Sequence, residues 1–256
     1  MATTDALYVY GVVPKGTPPD VFANAGAKVE LVVSGDLAAI TSRVPLAEYG
    51  AEALETNLKD PAWLEEKVNA HNAVLVACVG ATTVVPFRFG AIYRDEEQVR
   101  KMLSERSELR DTLARLDGAV EVGVKALLDP EALRGRLAHE RGLDAAVGSG
   151  RAYMMWKRLE RELDREVRSF AASCADASHE RLAAAAADAR VNPAQHPSVA
   201  GGQMVLNGAY LVRSDRDGEF RETLSELQAR YADDGVTYQL TGPWPPYNFV
   251  DDEEPA

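Results

Sequence analysis

The chain has 256 residues, room for one large or two small domains, and 46% of them are hydrophobic against 27% charged, so there is ample apolar surface for real cores. Its 40 Asp and Glu against 28 Lys and Arg leave a net charge of −12. A chain of that sign is repelled by a phosphate backbone, which excludes nucleic acid as an expected partner. Leu7 to Val13, LYVYGVV, is aromatic and β-branched and stops at Pro14, the pattern of a buried strand. VELVVSGDLAAITSRV carries two strand-like runs joined at Ser34-Gly35-Asp36, a hairpin signal. Asp60 to Val79 reads as a helix with Asp60 at its N-cap and Pro61 in its first turn, and Gly80 marks its stop. Leu64, Val68, His71, Val74, Leu75 and Cys78 give it an apolar side at helical spacing. TTVVPFRFG is strand-like, but Pro86 removes a ladder donor, which predicts an edge or a bulge.

One helix is predicted over Asp95 to Leu116, with Val99, Met102, Leu103, Leu109, Leu113 and Leu116 as its stripe. AVEVGVKALL, Ala119 to Leu128, returns as a strand. Tyr153, Trp156, Leu159, Leu163, Val167, Phe170 and Cys174 then follow three- and four-residue steps along a long helix. It is expected to continue through HERLAAAAADAR after a break near Ser173 to Ser178. Met204 to Val212 is a strand, and Phe220, Leu224, Leu227 and Tyr231 mark a last helix stopped by Asp-Asp-Gly. VTYQLTGPW closes as a strand. Mixed hairpins and crossovers give an α+β class with two domains, the C-terminal one a modified ferredoxin-like fold with a long helix. The expected domains are 1–117 and 118–250, followed by an acidic tail at 251–256 that reads as disordered.

Sites for chemistry are sparse. No GxSxG, Walker A or GxGxxG sequence occurs, and no His pair has the spacing of a metal-binding helix. His71 reads as a satisfied core histidine, His139 and His179 as solvated, and His196, between two prolines, as a loop residue. Adjacent carboxylates such as Glu65 and Glu66 project about 100° apart on a helix and do not form a shared acid/base site. Cys78 and Cys174 lack CxxC spacing and are expected as buried, reduced thiols. MATTDALYVYGVV has no basic n-region, and AVLVACVGATTVVPF is too short to span a bilayer, so a cytoplasmic protein without membrane contact is expected. No catalytic residue, cofactor or metal site is assigned.

The chain nearly ends on TGPWPPYNFV, where Pro243, Pro245 and Pro246 alternate with Trp244, Tyr247 and Phe249. The prolines hold an extended, low-entropy path. The three rings either pin that path on a core or stay out as a docking patch. Trp244, Tyr247 and Phe249, with Trp156 and Tyr153 on the long helix, are the candidate partner-binding residues.

LYVYGVV, HNAVLVACVGATTVVPFRFGAIYRDEEQVRKML and GAYLVRSDRDGEFRETLSELQARYADDGVTYQLTGPWPPYNFV together resemble the gas vesicle protein F/L family. The resemblance runs nearly the full length and is weakest between Asp129 and Gly202. It implies a non-enzymatic accessory protein, cytoplasmic and associated with gas vesicles, the hollow shells used for buoyancy. It also implies two α+β domains and, as partners, the major gas vesicle shell protein and other gas vesicle accessory proteins. As a minor shell component or assembly factor, such a protein would support vesicle assembly. A small-molecule-binding regulatory module with a ferredoxin-like domain is the alternative.

Overall fold

The computed structural model describes residues 4–141, 150–195 and 203–250, with the side chains of 150–156 excepted. The expected acidic tail and His196 lie outside the described residues. Two compact units are present. One runs to Glu121 and includes the segment from Pro243 onward, and the other is Val122–Gly242. The sequence reading assigns the closing segment to the second domain. In the structure it belongs to the first unit, because its polar groups find their partners there.

The first unit is built on β1 (Asp5–Pro14), whose interior residues are all buried. It pairs antiparallel with β3 (Leu37–Pro45), and β3 with β2 (Glu30–Ser34) through the hairpin at Gly35, whose φ of 63° only glycine adopts freely. Two short strands, β4 (Val85–Pro86) and β5 (Ile92–Tyr93), pair with the other side of β1. Pro86 therefore sits in a two-residue edge strand, where its missing donor is tolerated. Helices α1 (Leu46–Tyr49) and α2 (Ala51–Asn57) lead into α3 (Pro61–Val76). Asp60 caps α3 by accepting from the Ala62 and Trp63 amides at 3.0 and 3.5 Å. Val74, Leu75 and Cys78 pack with Tyr8, Tyr10 and Ile40 in the core.

The single helix predicted over Asp95 to Leu116 is two, α4 (Glu96–Glu105) and α5 (Glu108–Leu116). The chain leaves helical geometry at Arg106 (φ −93°, ψ 74°), whose guanidinium sits 5.4 Å from the centre of the Phe87 ring.

The second sheet has the order β7-β8-β6-β9, formed by β6 (Ala119–Leu128), β7 (Asp188–Val191), β8 (Gln203–Arg213) and β9 (Val236–Trp244). Its helices are α6 (Pro130–Glu140), α7 (Gly150–Ala185) and α8 (Asp217–Tyr231). Two expectations fail here. Helix α7 runs unbroken past Ser173 and Ser178, and the Ser178 hydroxyl is satisfied 2.6 Å from the Tyr238 hydroxyl. The run Asp188-Ala189-Arg190, expected as helix, is strand β7 and pairs with β8.

In β1 the register shifts between Val9 and Gly11, leaving Tyr10 as a bulge. The backbone of β4 then passes so close that a Cβ at Gly11 would lie 2.6 Å from the Val85 carbonyl oxygen. Gly11→Ala is expected to cost about 1–3 kcal/mol in urea unfolding, the usual range for overpacking. Gly16→Ala, whose Cβ would meet nothing within 4 Å, should cost less than about 0.5 kcal/mol.

Candidate functional site

The closing segment is held by a succession of polar bonds within the first unit. Gly242, at φ 105°, takes a conformation that side-chain-bearing residues avoid. Pro245 and Pro246 are buried, and a short 3-10 turn over Tyr247–Phe249 follows. In that turn the Tyr247 amide donates to Pro245 O at 2.8 Å and the Phe249 amide to Pro246 O at 3.1 Å. Asn248 donates twice to Glu121, from its backbone N–H at 2.9 Å and from Nδ2 at 2.6 Å. The Arg115 guanidinium donates to the Phe249 carbonyl at 2.6 Å, and the Phe249 ring is 2% exposed.

His71, on α3, receives the segment from the other side. Its Nδ1 is 2.8 Å from the Tyr8 hydroxyl, and its Nε2 lies 3.1 Å from Phe87 O and 2.9 Å from the Tyr247 hydroxyl. The Tyr8 oxygen already accepts from the Gly90 amide at 3.2 Å. A carbonyl can only accept, so Nε2 carries the proton, and the Tyr8 O–H donates to Nδ1. The Tyr247 O–H then donates to Asn72 Oδ1 at 3.4 Å. A neutral imidazole thus satisfies every member of the network. A second proton on Nδ1 would leave the Tyr8 O–H facing a donor.

Charge follows the same logic. Burial pulls the His71 pKa down to about 4 against a smaller opposing bond from Phe87, and burial pushes the Tyr8 and Tyr247 hydroxyls upward. The Cys78 thiol is pushed up to about 12 by burial. These groups are all neutral at pH 7. With both nitrogens engaged, His71 has no lone pair to offer a substrate. The Tyr8 ring lies 4.9 Å from Tyr10 and 5.9 Å from both Tyr49 and Phe89, so the cluster is an aromatic packing unit around a polar seam.

The sequence candidates divide accordingly. Phe249 is core, Tyr247 is half-buried and hydrogen-bonded, and Trp244 is 47% exposed. Trp244 and Pro246 border a groove lined by Val79, Thr82, Leu116 and Val120, all uncharged, with about 20 Å³ of free room. That holds about one water and no metabolite. Tyr153 and Trp156 fall on α7, but their side chains lie outside the described residues. Sequence reasoning missed Glu121, Asn248 and Arg115. Glu121 follows Val120 in a β-branched strand, and a lone carboxylate there is the one available signal. Among the described residues no group of three or more His, Cys, Asp or Glu could hold a metal ion, and no helix is long and apolar enough to cross a membrane.

The first unit is an α+β body whose sheet pairs antiparallel throughout, with the closing segment strapped to it by Glu121 and Arg115. The chain belongs to the gas vesicle synthesis protein GvpL/GvpF family, whose model matches residues 6–251. Membership implies a role in gas vesicle formation. Gas vesicle protein L of Streptomyces sp. (strain CB03234) is 33% identical, with 98% of this chain and 94% of that protein covered. Gas vesicle protein F of Haloferax mediterranei is 27% identical, with 97% and 94% covered. The crystal structure of GvpF from Anabaena sp. PCC7120 superposes with a TM-score of 0.70 at 18% identity, over 98% of each chain. At that identity the likeness concerns the fold.

Burial raises the Glu121 pKa by more than the two Asn248 bonds lower it. The protonated carboxyl is therefore the form that folding favours. Its contribution is full below the unfolded pKa and is lost as pH rises through the folded value. Asn248→Ala strips the ionised form of its side-chain donor and leaves only the backbone N–H bond. It is expected to cost about 1–3 kcal/mol at pH 7 and distinctly less at pH 4. Urea unfolding at the two pH values checks this, and equal deficits would contradict it.

Proposed function

We propose that this chain is a non-enzymatic accessory protein that binds the major gas vesicle shell protein and supports vesicle assembly from the cytoplasm. The family match over residues 6–251 carries the reading. A water-excluding shell must be built from subunits with large apolar surfaces, and such subunits aggregate unless escorted. An escort needs a limited apolar patch on a body that stays soluble. Trp244, 47% exposed beside an uncharged groove, on a chain of net charge −12, is a surface of that kind. Tyr153 and Trp156 remain candidates for a second contact along α7. We read the second unit as a modified ferredoxin-like domain. Its strand order β7-β8-β6-β9 and the antiparallel run of β6 against β9, with the Asp129 amide bonded to Gly235 O and Thr241 beside Gly123, support that reading.

Trp244→Ala separates docking from packing. Retention of the shell protein on the immobilised chain should fall about tenfold, as for an aromatic anchor, while the melting temperature stays within about 2 °C. Unchanged retention would remove Trp244 from the interface. Cells that make normal vesicles without this chain would contradict the assembly role itself.

A further inference from the structure

Between Leu46 and Ala70 no side chain is buried. Helices α1 and α2 bury nothing, and the first buried residue of α3 is His71. Every other α-helix among the described residues buries at least one apolar side chain. Helices of four and seven residues gain little from propensity alone, so a packed face is what normally sustains them. The segment nevertheless carries Leu46, Leu54, Leu58, Trp63, Leu64 and Val68, with Leu46 and Leu58 39% and 43% exposed. Leu54 on α2 and Leu58 at its C-cap are i, i+4 neighbours.

These helices form one surface, because Glu48 joins all three. Its backbone carbonyl accepts from Asn57 Nδ2 at 3.0 Å, and its carboxylate accepts from Trp63 Nε1 at 2.8 Å and pairs with Lys67 Nζ at 3.0 Å. The same stretch holds six acids, Glu48, Glu52, Glu55, Asp60, Glu65 and Glu66, against Lys59 and Lys67. Lys59 pairs with Glu55, and Lys67 with Glu48 and Glu66. Glu52 and Glu65 have no ion-pair partner among the described residues. Half-covered leucines within an acidic border are the complement of an amphipathic helix whose apolar side is flanked by Lys or Arg. A second copy of this chain fits poorly, since a two-fold contact sets the acidic border against itself.

We infer that the α1–α2–α3 face is a docking surface for a basic amphipathic helix of a partner protein. The inference is independent of the Trp244 groove and of the identity of the shell subunit. The full chain is titrated with a labelled 18-residue Leu/Lys amphipathic peptide and with its Leu/Glu counterpart. Binding of the Lys peptide alone is expected. Leu58→Glu should weaken it about tenfold, and Glu52→Lys with Glu65→Lys should weaken it and flatten its salt dependence. Val191→Glu, at an exposed position of the second unit, should leave it unchanged. Leu58→Glu adds negative charge, so attraction by net charge alone predicts slightly tighter binding, and that result would overturn the proposal. No binding, or equal binding of both peptides, would also overturn it. So would a dimer of the wild-type chain that Leu58→Glu dissolves, because a second copy would then be the occupant. Melting temperatures of all variants establish that they are folded.

Discussion

Residues 71 and 247 are 176 positions apart, and one hydrogen bond of 2.9 Å joins them inside the first unit. That bond uses the proton on Nε2, while the Tyr8 O–H needs an unprotonated Nδ1, and burial supplies the neutrality that keeps Nδ1 free to accept. Around it the Tyr8 hydroxyl, the Phe87 carbonyl and the Gly90 amide are satisfied together. A buried polar network rigidifies a core when every member has a partner, and weakens it when one does not. The closing segment is therefore part of how the first core is completed. Asn248 on Glu121 and Arg115 on the Phe249 carbonyl extend the same dependence to the edge of β6 and the end of α5.

Much of this was legible in the sequence where local chemistry and tertiary demand agree. The strand run of β1, the Gly35 hairpin, the Asp60 cap and the span of β9 all carry signals that the final packing leaves intact. The misreadings share a cause. Val99 to Leu116 keeps helical periodicity straight through Arg106, so spacing does not reveal the α4–α5 break, which falls where Arg106 lies against the Phe87 ring. Serines within α7 look like breakers, yet Ser178 is satisfied by Tyr238 from a strand 60 residues away. The Ala-rich approach to β7 favours a helix until β8 offers a ladder, and pairing then overrides propensity.

The aromatic ending was visible, but its division of labour was not. Which ring enters the core depends on what waits for it, and Glu121 and Arg115 are remote in sequence from the segment they hold. Phe249 and Tyr247 fasten the chain, and Trp244 keeps half its surface in water. A family role in gas vesicle formation suits that arrangement. The fastened residues that follow Trp244 limit how far its exposed indole can move.

The claim that the Pro243–Val250 segment completes a core is open to direct measurement. Native-state hydrogen exchange on the intact protein can follow the Asn248 amide, bonded to Glu121, beside the Val9 amide, bonded to Ala91 O in the sheet. The account predicts that both are protected to a similar degree and lose protection together in the same unfolding event. Rapid exchange at Asn248 while Val9 stays protected would contradict it.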